Sequence, residues 1–337
     1  LEPDYADSHN NLGNVLKEQG KLEEAEISYR TALKLDPRFA EAHYNLGIVL
    51  DKQTKFEEAE DCYNRALRVT PNYAEAHNQL GVLQLAQSRY EEAIDCFKRA
   101  LQIQPKLIEA HNNAGNAFLA MENHKDAASL FARALKIDPE FVDARISLGR
   151  SLRKLKRFKE AADQFAIAIE TAPKNAAVYR EMGKLEHLRT ENEAAISMLR
   201  RALELRPNYI GAKIDLAAAY WEIGENESAN EIMQAIIDSG VSHPSILPLI
   251  TTRPFDVPKQ YLLSEMDKLI NNGETLNEKN RENFVFTLGN IMHRVGEYKT
   301  AAKHFIEGNN LVFKRSLDEV KNKLSRNDLC LQFSLKA

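Results

Sequence analysis

The sequence predicts an all-α fold, a solenoid of antiparallel helix pairs, on three observations. Pro3, Pro37, Pro71, Pro105, Pro139, Pro173 and Pro207 stand 34 residues apart, which is the period of a helix–turn–helix repeat. Between the prolines, glycine and alanine recur in fixed register. No residue is inserted or lost from 3 to about 239. Each unit of such an array packs only on its neighbours, so a chain of 337 residues need not split into several globular domains.

Slots are counted from Ala40 as slot 1, which makes Pro71 slot 32. In the first helix of each unit, slot 8 is Gly13, Gly47, Gly81, Gly115, Gly149 and Gly183. In the second helix, slot 20 is Ala25, Ala59, Ala93, Ala127, Ala161, Ala195 and Ala229. Slot 24 is Tyr29, Tyr63, Phe97, Phe131, Phe165, Leu199 and Met233, and slot 27 is alanine from Ala32 to Ala202. Glycine inside a helix costs about 1 kcal/mol relative to alanine, so six in register must gain something in packing. The expectation is that Gly at slot 8 faces Ala at slot 20 and lets the two helices approach. The aromatic at slot 24 then fills the space between units, and Ala at slot 27 leaves room for the next first helix. Proline at slot 32 stops the second helix and is suited to open the following one, where its missing N–H is harmless.

Seven such units fill 1–239. The seventh departs from the pattern, with Ala217 at slot 8 and Ile236 at slot 27. From 240 to 283 the period breaks. Gly240, Pro244, Pro248, Pro254 and Pro258 exclude a long helix at its start, and Leu262, Met266, Leu269 and Ile270 mark one helical stripe after it. An eighth unit returns at 284–316, with Leu288, Gly289, Tyr298, Ala301 and Phe305 in their slots and Gly308 at slot 27. A last helix in 317–337 is expected to cap the array.

These slots resemble the tetratricopeptide repeat, which implies a right-handed superhelix of helix pairs. The phrases NNLGNVLKEQGKLEEAE and AEAHYNLGIVL resemble the repeats of O-linked N-acetylglucosamine transferases. The stretch FVFTLGNIMHRVGEYKTAAKHFIEGNNLVFKRS is similar to the bacterial proteins that join a repeat array to a sulfotransferase domain. That likeness implies a non-catalytic recruiting arm, with a catalytic domain expected beyond Ala337. The chain opens in mid-repeat and is read as part of a longer protein.

Composition narrows the class. Net charge is −4, from 45 basic and 49 acidic residues, which gives no reason to expect nucleic acid or an anionic membrane as a partner. Cys62, Cys96 and Cys330 are too few and scattered for a disulfide framework, and the first two share one slot as small apolar filler. A reducing, cytoplasmic setting is expected. No apolar run approaches the ~18 residues of a membrane span. GxxxxGK[ST], GxGxxG and HExxH are all absent from the sequence, so neither catalysis by this chain nor a cofactor is expected. His9, His43, His77 and His111 occupy slot 4 of successive units. Packed helices stand about 8–10 Å apart, against ~2.0–2.1 Å for a zinc–nitrogen bond, so these rings are read as inter-repeat packing and no metal is expected.

In this family the inner, concave wall comes from the first helices, at slots 2, 5, 6, 9, 12 and 13. Units 1–4 place amides there, namely Asn10, Asn11, Asn14, Asn45, Asn78, Gln79, Asn112, Asn113 and Asn116. An amide offers donors and an acceptor together and can pair with any peptide backbone. The glycosyltransferase likeness implies an asparagine ladder at slot 6, here Asn11, Asn45 and Asn113 with Gln79 in the third unit, ending at Ser147. The bland reading is that the amides bond only neighbouring helices or water. Units 5 and 6 place cations, namely Arg150, Arg153 and Lys154, then Arg180, Lys184 and His187. Their helical spacing keeps each set on one face, where a carboxylate or phosphate would relieve like-charge repulsion. The bland reading there is a solvated face paired with Glu181 or Glu186. Trp221, at slot 12, serves either as a groove anchor or as packing for the irregular segment, and the second is favoured.

The expected function is a protein–protein interaction module that binds an extended peptide in its concave groove. The alternatives are a free-standing adaptor, a self-assembling scaffold that forms a homo-oligomer, and the repeat region of a glycosyltransferase.

Overall fold

A computed structural model of the chain describes residues 5–241, single residues between 246 and 264, and 278–312 except 295. The expected capping helix at 317–337 and most of the expected helix after Pro258 lie outside the described residues. The described residues are helices and their connections, with no strand among them.

The helices run α1 (Ala6–Glu18), α2 (Leu22–Leu35), α3 (Ala40–Lys52), α4 (Phe56–Val69), α5 (Ala74–Ala86), α6 (Tyr90–Ile103), α7 (Ile108–Ala120), α8 (His124–Ile137), α9 (Val142–Lys154), α10 (Phe158–Thr171), α11 (Ala176–Leu188), α12 (Asn192–Leu205), α13 (Ile210–Glu222), α14 (Asn226–Asp238) and α15 (Glu278–Arg294). A further helical stretch covers 298–312. Odd numbers up to α13 are the first helices of the repeats and even numbers the second. The chain divides into two compact units, Leu1–Arg189 and Thr190–Ala337. The cut falls in the turn between the two helices of the sixth repeat, not at 239.

In the first unit α1, α3, α5, α7 and α9 pack on their own second helices, α3 to α11 pack on the preceding second helix, and adjacent first helices touch. The core follows the slots. Ala25, Ala59, Ala93, Ala127 and Ala161 are wholly buried, as are Tyr29, Phe97, Phe131 and Phe165. Tyr29 and Tyr63 share one apolar cluster with Leu46, Val49 and Leu80, so the slot-24 rings do fill the space between units.

Slot 8 works differently from the expectation. A Cβ added to Gly13, Gly47, Gly81 or Gly115 would meet first the slot-24 ring of its own repeat, not the slot-20 alanine. At Gly115 the nearest atom is Phe131 Cε1 at 2.6 Å, and at Gly81 it is Phe97 Cε1 at 2.7 Å. The glycine therefore makes room for a ring packed directly against its own first helix.

Proline at slot 32 stands in the turn and does not open the next helix. α2 ends at Leu35 before Pro37, and α3 begins only at Ala40. Its carbonyl has a use there, because the slot-4 side chain of the following first helix reaches back to it. His43 Nε2 donates to Pro37 O at 2.9 Å, His77 to Pro71 O at 3.0 Å and His111 to Pro105 O at 2.9 Å. Arg145 donates to Pro139 O and Tyr179 to Pro173 O in the next two repeats. The imidazoles are buried, so the packing role read from the sequence gains a polar tie across each inter-repeat turn.

The first helices end in a shared motif. In the first repeat Lys21 N–H bonds Leu16 O at 2.9 Å and Gly20 N–H bonds Lys17 O at 3.0 Å, the paired bonds of a Schellman cap. The residue between must be left-handed. Gly20 and Gly224 take positive φ there, and so do Thr54, Ser88, Glu122, Lys156 and Thr190, at φ 57 to 64°.

In the second unit, Trp221 is buried, its ring lies 6.3 Å from Phe255, and its Nε1 donates to Asn230 Oδ1 at 3.1 Å. The indole thus packs on the irregular segment, the favoured of its two readings. Arg294 of α15 donates to Phe255 O at 2.7 Å. The Cβ of an alanine at Gly289 would stand 2.7 Å from Phe305 Cε1, the same glycine–ring contact as in the first unit.

Candidate functional site

The candidate site lies on the first helices of the first unit, where α1, α3, α5, α7, α9 and α11 stand side by side. Most of the slot-6 amides tie one first helix to the last. Asn45 Nδ2 donates to Asn10 Oδ1 at 3.1 Å, and Asn10 Nδ2 donates to Glu41 Oε1 at 3.1 Å. Asn113 Nδ2 donates to Asn78 Oδ1 at 3.1 Å, and Gln79 bonds the Tyr44 hydroxyl. Asn45, Gln79 and Asn113 thus each carry slot 6 to slot 5 of the preceding repeat, while Asn10 also reaches Glu41 at slot 2 of the following one. Asn10, Asn45 and Asn78 are buried by these contacts. Asn14 accepts from the Tyr29 hydroxyl at 2.8 Å. Asn11 is exposed, and Asn116 is half-buried.

The lateral tie breaks between repeats 4 and 5. Asn112 holds slot 5 of the fourth repeat, and slot 6 of the fifth is the short Ser147. Asn112 Oδ1 is buried and has no hydrogen-bond partner. The next first helix brings the cations. Arg150 Nε lies 3.0 Å from Glu181 Oε1, and Arg153 Nη2 donates to Glu181 Oε2 at 3.2 Å. The Nε–H groups of both arginines are buried without an acceptor in hydrogen-bond geometry. Glu181 itself is 3% exposed. Burial alone would raise its pKa, but Arg150, Lys184, Arg153 and Arg180 pull it below the ordinary carboxylate range. Lys154 is exposed at the end of α9, and Arg180, Lys184 and His187 are half-buried on α11.

The sequence reading named Glu181 as a pairing partner of these cations but as part of a solvated face, and so missed that it is buried between Arg150 and Arg153. The available signal was the replacement of amide by carboxylate at slot 6, where Asn45, Gln79 and Asn113 give way to Glu181. It also missed the clefts between successive second helices. One, of about 760 Å³, has His77, Leu80 and Gln84 along its floor. A smaller one beside Cys62 and His43 is about 330 Å³. Burial pushes the Cys62 and Cys96 thiols up to about 11, so at neutral pH they are inert filler. Among the described residues, no group of three or more His, Cys, Asp or Glu is placed to hold a metal ion. No described helix is long and apolar enough to cross a membrane.

Comparison with protein families matches four models of the tetratricopeptide repeat, at residues 13–54, at 38–106 and 72–140, at 112–176 and at 190–250. No curated protein matches the chain. Among solved structures, a tetratricopeptide repeat protein from Parabacteroides merdae is 18% identical, with a TM-score of 0.59 over 72% of this chain and 95% of that one. PilF from Pseudomonas aeruginosa is 23% identical, with a TM-score of 0.56 over 62% of this chain and 95% of that one. At these identities the likeness is one of fold.

Proposed function

Because the chain belongs to the tetratricopeptide repeat family, we propose that it is a protein-interaction module that holds an extended, acidic segment of a partner along the first-helix face. The observation that carries this is the break at repeats 4 and 5. There an acceptor, Asn112 Oδ1, and a donor, the Nε–H of Arg153, are buried without hydrogen-bond partners, and the Nε–H of Arg150 meets Glu181 Oε1 at 3.0 Å only outside hydrogen-bond geometry. A buried polar group left unpaired costs about 1–3 kcal/mol. A peptide supplies both complements, a backbone N–H for the asparagine and a carboxylate for the arginines. The amides of repeats 1–4 then serve mainly to hold neighbouring first helices in register, with Asn11 and Asn116 the ones most open to a ligand.

The same reading makes the array the recruiting arm of a transferase. It rests on the likeness of the eighth unit to repeat–sulfotransferase proteins. A sulfonucleotide-binding loop encoded beyond the codon for Ala337 is the result this arm of the proposal expects, and a different domain there would refute it.

The groove reading is tested with a fluorescein-labelled, N-acetylated hexaglutamate peptide as probe. Arg150→Glu with Lys184→Glu should abolish its binding while helix content by circular dichroism stays that of the parent. Unchanged affinity in the double variant would remove the cation cluster from the function.

A further inference from the structure

We propose that Glu181 is a specificity-determining residue, an internal carboxylate that occupies the arginine pair and sets how acidic a ligand must be to bind. This rests on the acidic-segment reading above. The slot explains how it got there. In repeats 2 and 4 slot 6 is an asparagine tied to slot 5 of the repeat before. In repeat 6 the slot-5 partner is the apolar Ile146, which offers no bond. The carboxylate turns instead to slots 9 and 12 of the fifth repeat, the positions of Arg150 and Arg153.

The result is a site that already holds one carboxylate. Its two oxygens divide between the two guanidinium groups, one at 3.0 Å and one at 3.2 Å. Neither pair has the parallel, two-bond geometry that makes arginine–carboxylate pairing strong. Glu181 is therefore an imperfect occupant, held by four cations while the buried Nε–H of Arg153 lacks an acceptor and that of Arg150 meets Glu181 Oε1 outside hydrogen-bond geometry. A ligand carboxylate that reaches those groups gains bonds that Glu181 does not make, but it must approach against the negative charge of Glu181. Ligands with one acidic group are disfavoured and runs of several are admitted.

Glu181→Gln keeps the shape and removes the charge. Its affinity for the labelled hexaglutamate should rise at least about tenfold over wild type, since removing a like charge a few ångströms away is worth more than the 1.4 kcal/mol of a tenfold change. A peptide with a single glutamate among glutamines should bind the variant and not wild type, and hexaglutamine should bind neither. A purely structural role would not produce this ordering by charge. Glu181→Asn, the residue natural to slot 6 in repeats 2 and 4, should behave the same way and covers the case in which glutamine disturbs folding. Equal hexaglutamate affinity in wild type and both variants overturns the proposal and leaves the acidic-segment reading standing. No binding to any of the three proteins overturns both.

Discussion

The contact between glycine and ring at slots 8 and 24 makes a quantitative prediction. A Cβ on residue 115 would sit 2.6 Å from Phe131 Cε1 and 2.8 Å from Cζ, so the ring must retreat by nearly 1 Å to restore ordinary contact. Phe131 is wholly buried and packed among Ala127, Ala134 and Ala144, which leaves it little room. Overpacking of this kind costs about 1–3 kcal/mol. Alanine regains roughly 1 kcal/mol of helix propensity over glycine; the closed surroundings of Phe131 put the overpacking in the upper half of that range, so Gly115→Ala should destabilise by about 1–2 kcal/mol. The chain contains its own compensated version. In the seventh repeat slot 8 is Ala217 and slot 24 is the flexible Met233, fully buried. Phe131→Met alone should therefore cost stability, while Gly115→Ala added to it should cost little more or recover some. Urea unfolding of the four proteins, followed by circular dichroism, gives the coupling energy. A Gly115→Ala variant as stable as the parent would refute the reasoning, and so would strict additivity of the two changes.

Two more outcomes follow from the turns. Gly20→Ala should destabilise by about 1 kcal/mol, because alanine resists the left-handed backbone, whereas Thr54→Gly should raise stability by up to about 1 kcal/mol; the urea midpoints report both. Burial lowers the pKa of His77 and the nearby Arg99 lowers it further, against the raising effect of its bond to Pro71 O. The folded protein then holds fewer protons than the unfolded chain as pH falls through about 6.5. The His77 contribution is complete above that pH and lost below it. His77→Tyr, which copies Tyr179 in the same slot, should keep the bond to the proline carbonyl and flatten the pH dependence of the urea midpoint between pH 7.5 and 5. An unchanged slope would assign the dependence to other groups.

How far the sequence could be read depended on whether a position repeats. Gly13 to Gly149, the slot-20 alanines and the slot-24 rings recur often enough to declare the helix pairs and their core without coordinates. Which of them touch was less legible, because period alone does not say that Gly115 meets Phe131 and not Ala127. The left-handed slot was hidden for a physical reason. Gly20 and Gly224 mark it, but Thr54, Ser88, Glu122, Lys156 and Thr190 hold the same backbone, since paired Schellman bonds can impose φ > 0 on residues that resist it. At the candidate site the cation cluster and Glu181 as a possible partner were legible from spacing, while the burial of Glu181 between two arginines was not. Its role depends on Ile146 in the neighbouring repeat failing to bond it, a relation across 35 residues.

The most direct test of the account is photo-crosslinking with a benzophenone side chain at Lys154 on α9 or, in a second variant, at the exposed Arg65 of the outer cleft on α4. The account predicts a crosslink to the labelled hexaglutamate from position 154, lost with Arg150→Glu and Lys184→Glu, and none from position 65. Crosslinking from 65 and not from 154 would place the binding surface between the second helices and contradict the assignment.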